Sequence, residues 1–143
     1  MEAGGRACVF CRITARQGPA SIVYEDDATL AFLDIRQLHP GHTLVVPKQH
    51  FETVFDLDHA AAAAIMSATV RVARAVRHAF APDGINLWQS NGVAAGQEVP
   101  HFHMHVMPRY LGDGILRVYP GRVDITPRAE LEACAARIRA ALQ

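Results

Sequence analysis

The chain has 143 residues, half of them apolar and 20% charged, and its 14 Lys+Arg balance 14 Asp+Glu. That is one domain's worth of chain with enough apolar material for one core, and zero net charge argues against nucleic-acid binding through a broad basic face. The longest apolar run, Ala60 to Met66, is far too short to span a bilayer, and the first fifteen residues show no secretory signal, so the expectation is a soluble cytoplasmic protein.

Residues 1–7 read as a flexible terminus and 8–143 as a single domain. Ser21 to Tyr24 and Thr29 to Leu33, rich in β-branched and aromatic residues and separated by Glu25-Asp26-Asp27, predict a hairpin. Thr43 to Val46, between Pro40-Gly41 and Pro47, predicts a third strand. Asp56 or Asp58 can cap a helix running to about Phe80, along which Leu57, Ala61, Ile65, Ala68, Val72, Val76 and Phe80 recur at helical spacing. Arg71, Arg74 and Arg77 fall off that stripe and read as a solvated face. Pro82-Asp83-Gly84 ends the helix. Ile85 to Gln89 and Phe102 to Pro108 predict the fourth and fifth strands. Leu111 to Ile125, with Gly112, Gly114 and Gly121, is a candidate mobile, substrate-facing loop. Arg128 to Leu142 predicts a C-terminal helix with Leu131, Ala135, Ile138 and Leu142 on one stripe. Strands joined by short turns and interrupted by one long helix indicate an α+β domain with an antiparallel sheet.

Two of the three cysteines form Cys8-x-x-Cys11. Without an export signal a disulfide is disfavoured, which leaves a metal half-site or a redox pair. Cys134 reads as a small core residue of the C-terminal helix.

Three of the eight histidines are His101, His103 and His105. On an extended strand this spacing puts all three on one face, about 7 Å apart, while Phe102, Met104 and Val106 face the core. A half-exposed strand with polar histidines would produce the same letters. So would a metal site using His101 and His103, for which no nearby carboxylate offers a third ligand. The third reading is nucleophilic chemistry, since neutral imidazole attacks well at pH 7 and its neighbours can donate protons to oxygen. The preceding loop, Gln89-Ser90-Asn91-Gly92 and Ala95-Gly96-Gln97, can turn backbone N–H groups toward an anion, which suits a phosphate ester or phosphoramidate. Neither a P-loop nor a G-x-G-x-x-G fingerprint is present.

The run Gly96-Gln97-Glu98-Val99-Pro100-His101-Phe102-His103-Met104-His105-Val106-Met107 resembles the signature of the histidine triad (HIT) family. Tyr24 to Asp27, Ala31 to Ile35 and Pro40 to Lys48 extend the resemblance over roughly residues 8–110. It implies a five-stranded antiparallel sheet with one long helix and a C-terminal helix, in a homodimer. It also implies an enzyme, a nucleotide hydrolase or nucleotidyl transferase. Such an enzyme would act at the α-phosphorus of purine nucleoside phosphoramidates or dinucleoside polyphosphates, through a nucleotidyl-His103 intermediate. His105 would bond the phosphate and protonate the leaving group, and His42 would support the triad. Asp34 matches the acceptor of ribose hydroxyls, and Phe10, Ile13, Phe32 and Ile35 the apolar wall around the base. Ser90, Asn91, Gly96, Gln97, Glu98 and Val99 match the phosphate-side loop.

No cofactor is implied for catalysis. Cys8-x-x-Cys11 nevertheless resembles the zinc half-site of some triad proteins and of galactose-phosphate uridylyltransferases, with His50 and His101 as the remaining ligands of a structural zinc. Ser90 and Glu98 depart from the pattern. An acidic residue at 98, if aimed inward, disfavours a long anionic polyphosphate. The readings that compete with the enzyme are a nucleotide-binding or interaction module with little turnover and a metal-dependent enzyme using His101 and His103. Neither a nucleic acid nor a membrane is an expected partner.

Overall fold

A computed structural model describes residues 8–115 and 121–143. The terminus expected to be flexible, 1–7, and residues 116–120 of the expected 111–125 loop lie outside the described residues. By contact the chain forms two units, 1–113 and 114–143.

The first unit is built on an antiparallel sheet. Its strands are β1 (Ile22–Glu25), β2 (Thr29–Leu33), β3 (Thr43–Pro47), β4 (Gly84–Trp88) and β5 (Met104–Arg109), in the order β1-β2-β3-β5-β4. The β1–β2 turn is closed by Asp26, whose Oδ1 accepts from the backbone N–H groups of Ala28 (3.0 Å) and Thr29 (2.7 Å). An aspartate does this well because its short side chain mimics a turn of backbone.

Every residue of β3 is buried, because the sheet is covered on both faces. On one face lies α2 (His59–Phe80), capped by Asp58, whose carboxylate accepts from Ala61 N–H at 2.7 Å. Its Ile65, Ala68, Val72 and Val76 pack with Ala31, Val45, Phe102 and Val106 of the sheet side. Arg71, Arg74 and Arg77 are exposed, as their position off the stripe predicts. On the other face lies α1 (Val9–Thr14), whose Phe10 and Ile13 pack with Leu30, Phe32, Leu44 and Val46. Alternate residues of β2 and β3 thus feed two separate cores. The six residues of α1 are too few for a helical period to show in the sequence.

Gly41 ends the β2–β3 connection at φ +102, and a Cβ there would lie 2.8 Å from the Phe80 ring. Only glycine combines that backbone conformation with that close approach, and the next residue is His42.

The second unit contains α3 (Arg128–Ala141). Its expected stripe is open: Leu131, Ile138 and Leu142 are exposed, and so is Cys134, which is not the core residue its helical position suggested. A unit of this size has too little chain to enclose a stripe of its own. Among the described residues no helix is long and apolar enough to cross a membrane.

Ile65 is 2% exposed at the centre of the α2 core. Ile65→Val is expected to lower unfolding free energy by about 0.5–1.5 kcal/mol and Ile65→Ala by about 2–5 kcal/mol, read from urea titrations.

Candidate functional site

The triad segment is held by its even-numbered residues. Phe102, Met104 and Val106 join the α2-side core, and Phe102 N–H donates to the Phe51 carbonyl at 2.6 Å. The odd-numbered residues therefore emerge on the α1 side. They form no solvent-facing row, since His101 is 0% and His103 9% exposed. The rings also come closer than the backbone repeat suggests, with the centroids of His103 and His105 4.9 Å apart.

His101 turns toward α1. Its Nε2–H donates to the Pro47 carbonyl at 2.8 Å, so the neutral ring keeps a lone pair on Nδ1. That atom lies 3.4 Å from Cys8 Sγ, 3.5 Å from Cys11 Sγ and 3.1 Å from His50 Nδ1, and Cys11 Sγ is 3.3 Å from His50 Nδ1. All four ligand atoms lie within 4.8 Å of one another. Tetrahedral bonds of about 2.0–2.1 Å to nitrogen and about 2.3 Å to sulfur set ligand edges of roughly 3.3–3.8 Å. The donor set and spacing fit zinc. Burial, followed by the Cys8 thiol beside it, pushes the Cys11 thiol up to about 11, and a bound cation would reverse that pressure. α1 therefore has a purpose: Cys8 caps it, Cys11 sits one turn on, and Phe10 between them meets His101 and His103 edge-on at 5.9 and 5.2 Å.

His103 Nδ1–H donates to the carbonyl of His101 at 2.7 Å. A carbonyl only accepts, so the proton is on Nδ1 and Nε2 carries the lone pair. Burial holds the ring's pKa below the usual imidazole range. The arrangement leaves a neutral ring in one tautomer, with a lone pair on Nε2. Among the described residues, no group of potential metal ligands contains both His101 and His103.

His105 Nδ1 lies 2.9 Å from His42 Nε2, so one proton lies between these two nitrogens in either neutral form of the pair. With one extra proton both outer nitrogens carry hydrogen, and His105 Nε2 is then a donor. The Arg36 backbone bonds the His42 ring, and Asp34 Oδ2 stands 3.8 Å from His42 Nε2; both favour its charged form. Burial lowers the pKa of both rings, that of His105 to about 3. Trp88, which the sequence reading passed over, stacks on His105 with centroids 4.1 Å apart and planes 5° from parallel.

The remaining candidates separate by position. Phe10, Ile13 and Phe32 are buried in the α1-side core with Val99 packed against it, whereas Ile35 is 94% exposed beside half-buried Asp34. The amides of the loop are largely spent inside it. Gln97 Oε1 accepts from Gly92 N–H (2.7 Å), and its Nε2 donates to the carbonyls of Glu52 (2.7 Å) and Val99 (3.1 Å). Gly96 N–H donates to Val93, and Asn91 bonds Gln89 and the Val54 N–H. Ser90 is half-buried in the same loop. Glu98 is exposed and pairs with Arg36 at 3.5 Å, a contact across 62 residues that no local pattern announces.

Known proteins resemble this arrangement. The HIT domain family profile matches residues 15–112. "Protein hit" of Bacillus subtilis is 47% identical over 118 residues, 82% of this chain and 81% of that protein. The adenylylsulfatase HINT3 of Arabidopsis thaliana is 39% identical over 102 residues, 71% of this chain and 52% of that one. A crystal structure of a HIT family member from Bacillus subtilis superposes with a TM-score of 0.89 at 42% identity, covering 96% of this chain and 98% of the other. A Zn-bound histidine triad family protein from Mycobacterium smegmatis gives 0.74 at 38%, covering 97% and 100%.

Two outcomes follow from the site's geometry. Gln97→Ala strands the Gly92 N–H and two carbonyls, and is expected to lower unfolding free energy by about 1–3 kcal/mol in denaturant titrations. His105 is neutral when folded and takes a proton near pH 6.5 when unfolded, so its contribution to stability is complete above that pH. The contribution is lost as pH falls from there toward about 3. The drop in Tm between pH 7 and pH 5 is accordingly expected to be smaller in His105→Asn than in the unsubstituted protein.

Proposed function

Because the chain belongs to the histidine triad (HIT) family, we propose that it is a nucleotide hydrolase or nucleotidyl transferase working at the α-phosphorus of purine nucleoside phosphoramidates or dinucleoside polyphosphates. The observation that carries this reading is the His103 Nδ1–H bond to the His101 carbonyl, which aims a bare Nε2 out of a buried ring.

In the first step a phosphorus–nitrogen bond forms to His103 Nε2 while the bond from phosphorus to the leaving group breaks. The leaving group takes the proton of His105 Nε2, and His42 passes its Nε2 proton to His105 Nδ1 across their 2.9 Å bond. The His42–His105 pair enters this step with one extra proton, favoured by the nucleotide's charge and by Asp34 3.8 Å away. The pair leaves the step neutral. His103, still protonated on Nδ1, becomes a cationic phosphoryl-imidazole and so a good leaving group. In the second step water attacks phosphorus, its proton passes to His105 Nε2, and the bond to His103 breaks.

Asp34 is the acceptor for ribose hydroxyls, with Ile35, Phe32, Ile13 and Phe10 on the base side. Ser90, Asn91, Gly96, Gln97, Glu98 and Val99 form the wall beside the phosphate. Cys8, Cys11, His50 and His101 would hold a zinc ion as a structural brace between α1 and the first triad residue, supported by their tetrahedral spacing.

Turnover of adenosine 5′-phosphoramidate is the direct test. It is expected in the unsubstituted protein and to fall at least about 10³-fold in His103→Ala, and quenching in alkaline denaturant, where the phosphorus–nitrogen bond survives, is expected to trap AMP on His103. Absent turnover, or turnover that survives the substitution, overturns the enzyme in favour of a binding module. Metal analysis of protein purified without added metal is expected to find one zinc per chain, lost together with several degrees of Tm when Cys8 and Cys11 are both changed to Ser. Metal-free native protein removes the zinc brace.

A further inference from the structure

Trp88 is the chain's single tryptophan, and no step above uses it. It stands directly opposite His105 in the β4–β5 register, and residues opposed in this way project from the same face of a sheet. The two rings lie almost parallel at contact distance, and the indole also reaches within 5.4 Å of the His42 ring. Trp88 is half-buried, so part of its area remains outside the core.

A histidine ring turns softly about its second side-chain torsion. The His42 hydrogen bond fixes where Nδ1 points within the plane of the His105 ring, but it leaves that plane able to rock about the bond. A flat surface at van der Waals distance removes the rocking and leaves the in-plane bond alone. The two contacts are therefore complementary, and together they fix the direction of Nε2–H. An aliphatic side chain of similar volume would fill the space without defining a plane. The register supplies this second constraint from the edge strand, across a ladder that also carries His105.

We propose that Trp88 is the positioning residue of His105, its indole face setting the tilt of the imidazole so that Nε2–H is held on the line along which the site donates. The consequence for turnover rests on the enzymatic reading above; the effect on the ring does not.

The experiment compares Trp88→Met, which keeps bulk without a plane, and Trp88→Phe, which restores one. Each is read by steady-state kinetics on adenosine 5′-phosphoramidate, by ¹⁵N NMR of the His105 ring and by Tm. In Trp88→Met, kcat is expected to fall about 10- to 100-fold with KM within about twofold. The His105 ring resonances are expected to broaden through exchange between tilts. Trp88→Phe is expected to recover both to near the unsubstituted values. A Trp88→Met protein with unchanged kcat and His105 ring resonances as sharp as before overturns the proposal, as does a loss that Trp88→Phe fails to reverse. If the unsubstituted protein turns nothing over, the nucleotide reading fails, and the NMR comparison still decides whether Trp88 orders the ring. Should Trp88→Met fail to fold, Trp88→Phe decides: near-native kcat with sharp ring resonances supports the planar-face role, and exchange broadening overturns it.

Discussion

A backbone carbonyl two residues upstream dictates the state of the central imidazole. With Nδ1 committed to the oxygen of His101 at 2.7 Å, His103 has one tautomer open to it while neutral, and burial keeps it neutral. The oxygen can do this only while residue 101 stays put. Its side chain is wholly buried, tied through Nε2 to Pro47 and facing Cys8, Cys11 and His50 through Nδ1. The first histidine therefore acts through its backbone on the site and through its ring on the scaffold. One residue serves both, and so the cysteine-bearing helix and the triad cannot move independently.

The same economy governs the sheet. Strands whose two faces feed different cores have no neutral side on which to place polar groups, and the histidine face is dry where most antiparallel strands would meet water. Burying four imidazoles there costs free energy unless each finds a partner. The partners are a Pro47 carbonyl, a His101 carbonyl and one another. The Arg36 backbone bonds the His42 ring as well and favours its charged form against burial.

Much of this was legible in the letters. The five strands and the long helix are legible within a residue or two, the fifth strand starting at Met104 rather than Phe102, because period-2 and period-3.6 patterns survive in segments longer than a few residues. The triad spacing exposed the division of the 101–106 segment between two faces, and Cys8-x-x-Cys11 pointed to His50 and His101 through family resemblance. What could not be read depended on distance in sequence or on short length. The six-residue helix α1 lacks a period. The stack of Trp88 on His105 follows from strand register, which the hairpin's long connecting loop leaves undetermined locally. The Arg36–Glu98 pair joins two exposed side chains with no shared pattern. Periodicity places Cys134 on an amphipathic helix, but it says which residues share a side and not which of them are buried, and Cys134 is exposed.

Gly41 gives the site a dependence on a distant surface. The ring of Phe80, the last residue of α2, occupies the space any side chain at 41 would need, and the following residue is the buried His42. A bulkier residue at 41 would have to displace the end of the helix. The usual stabilising exchange of glycine for alanine is thus closed at this position, and the end of α2 becomes the floor on which the turn before His42 rests.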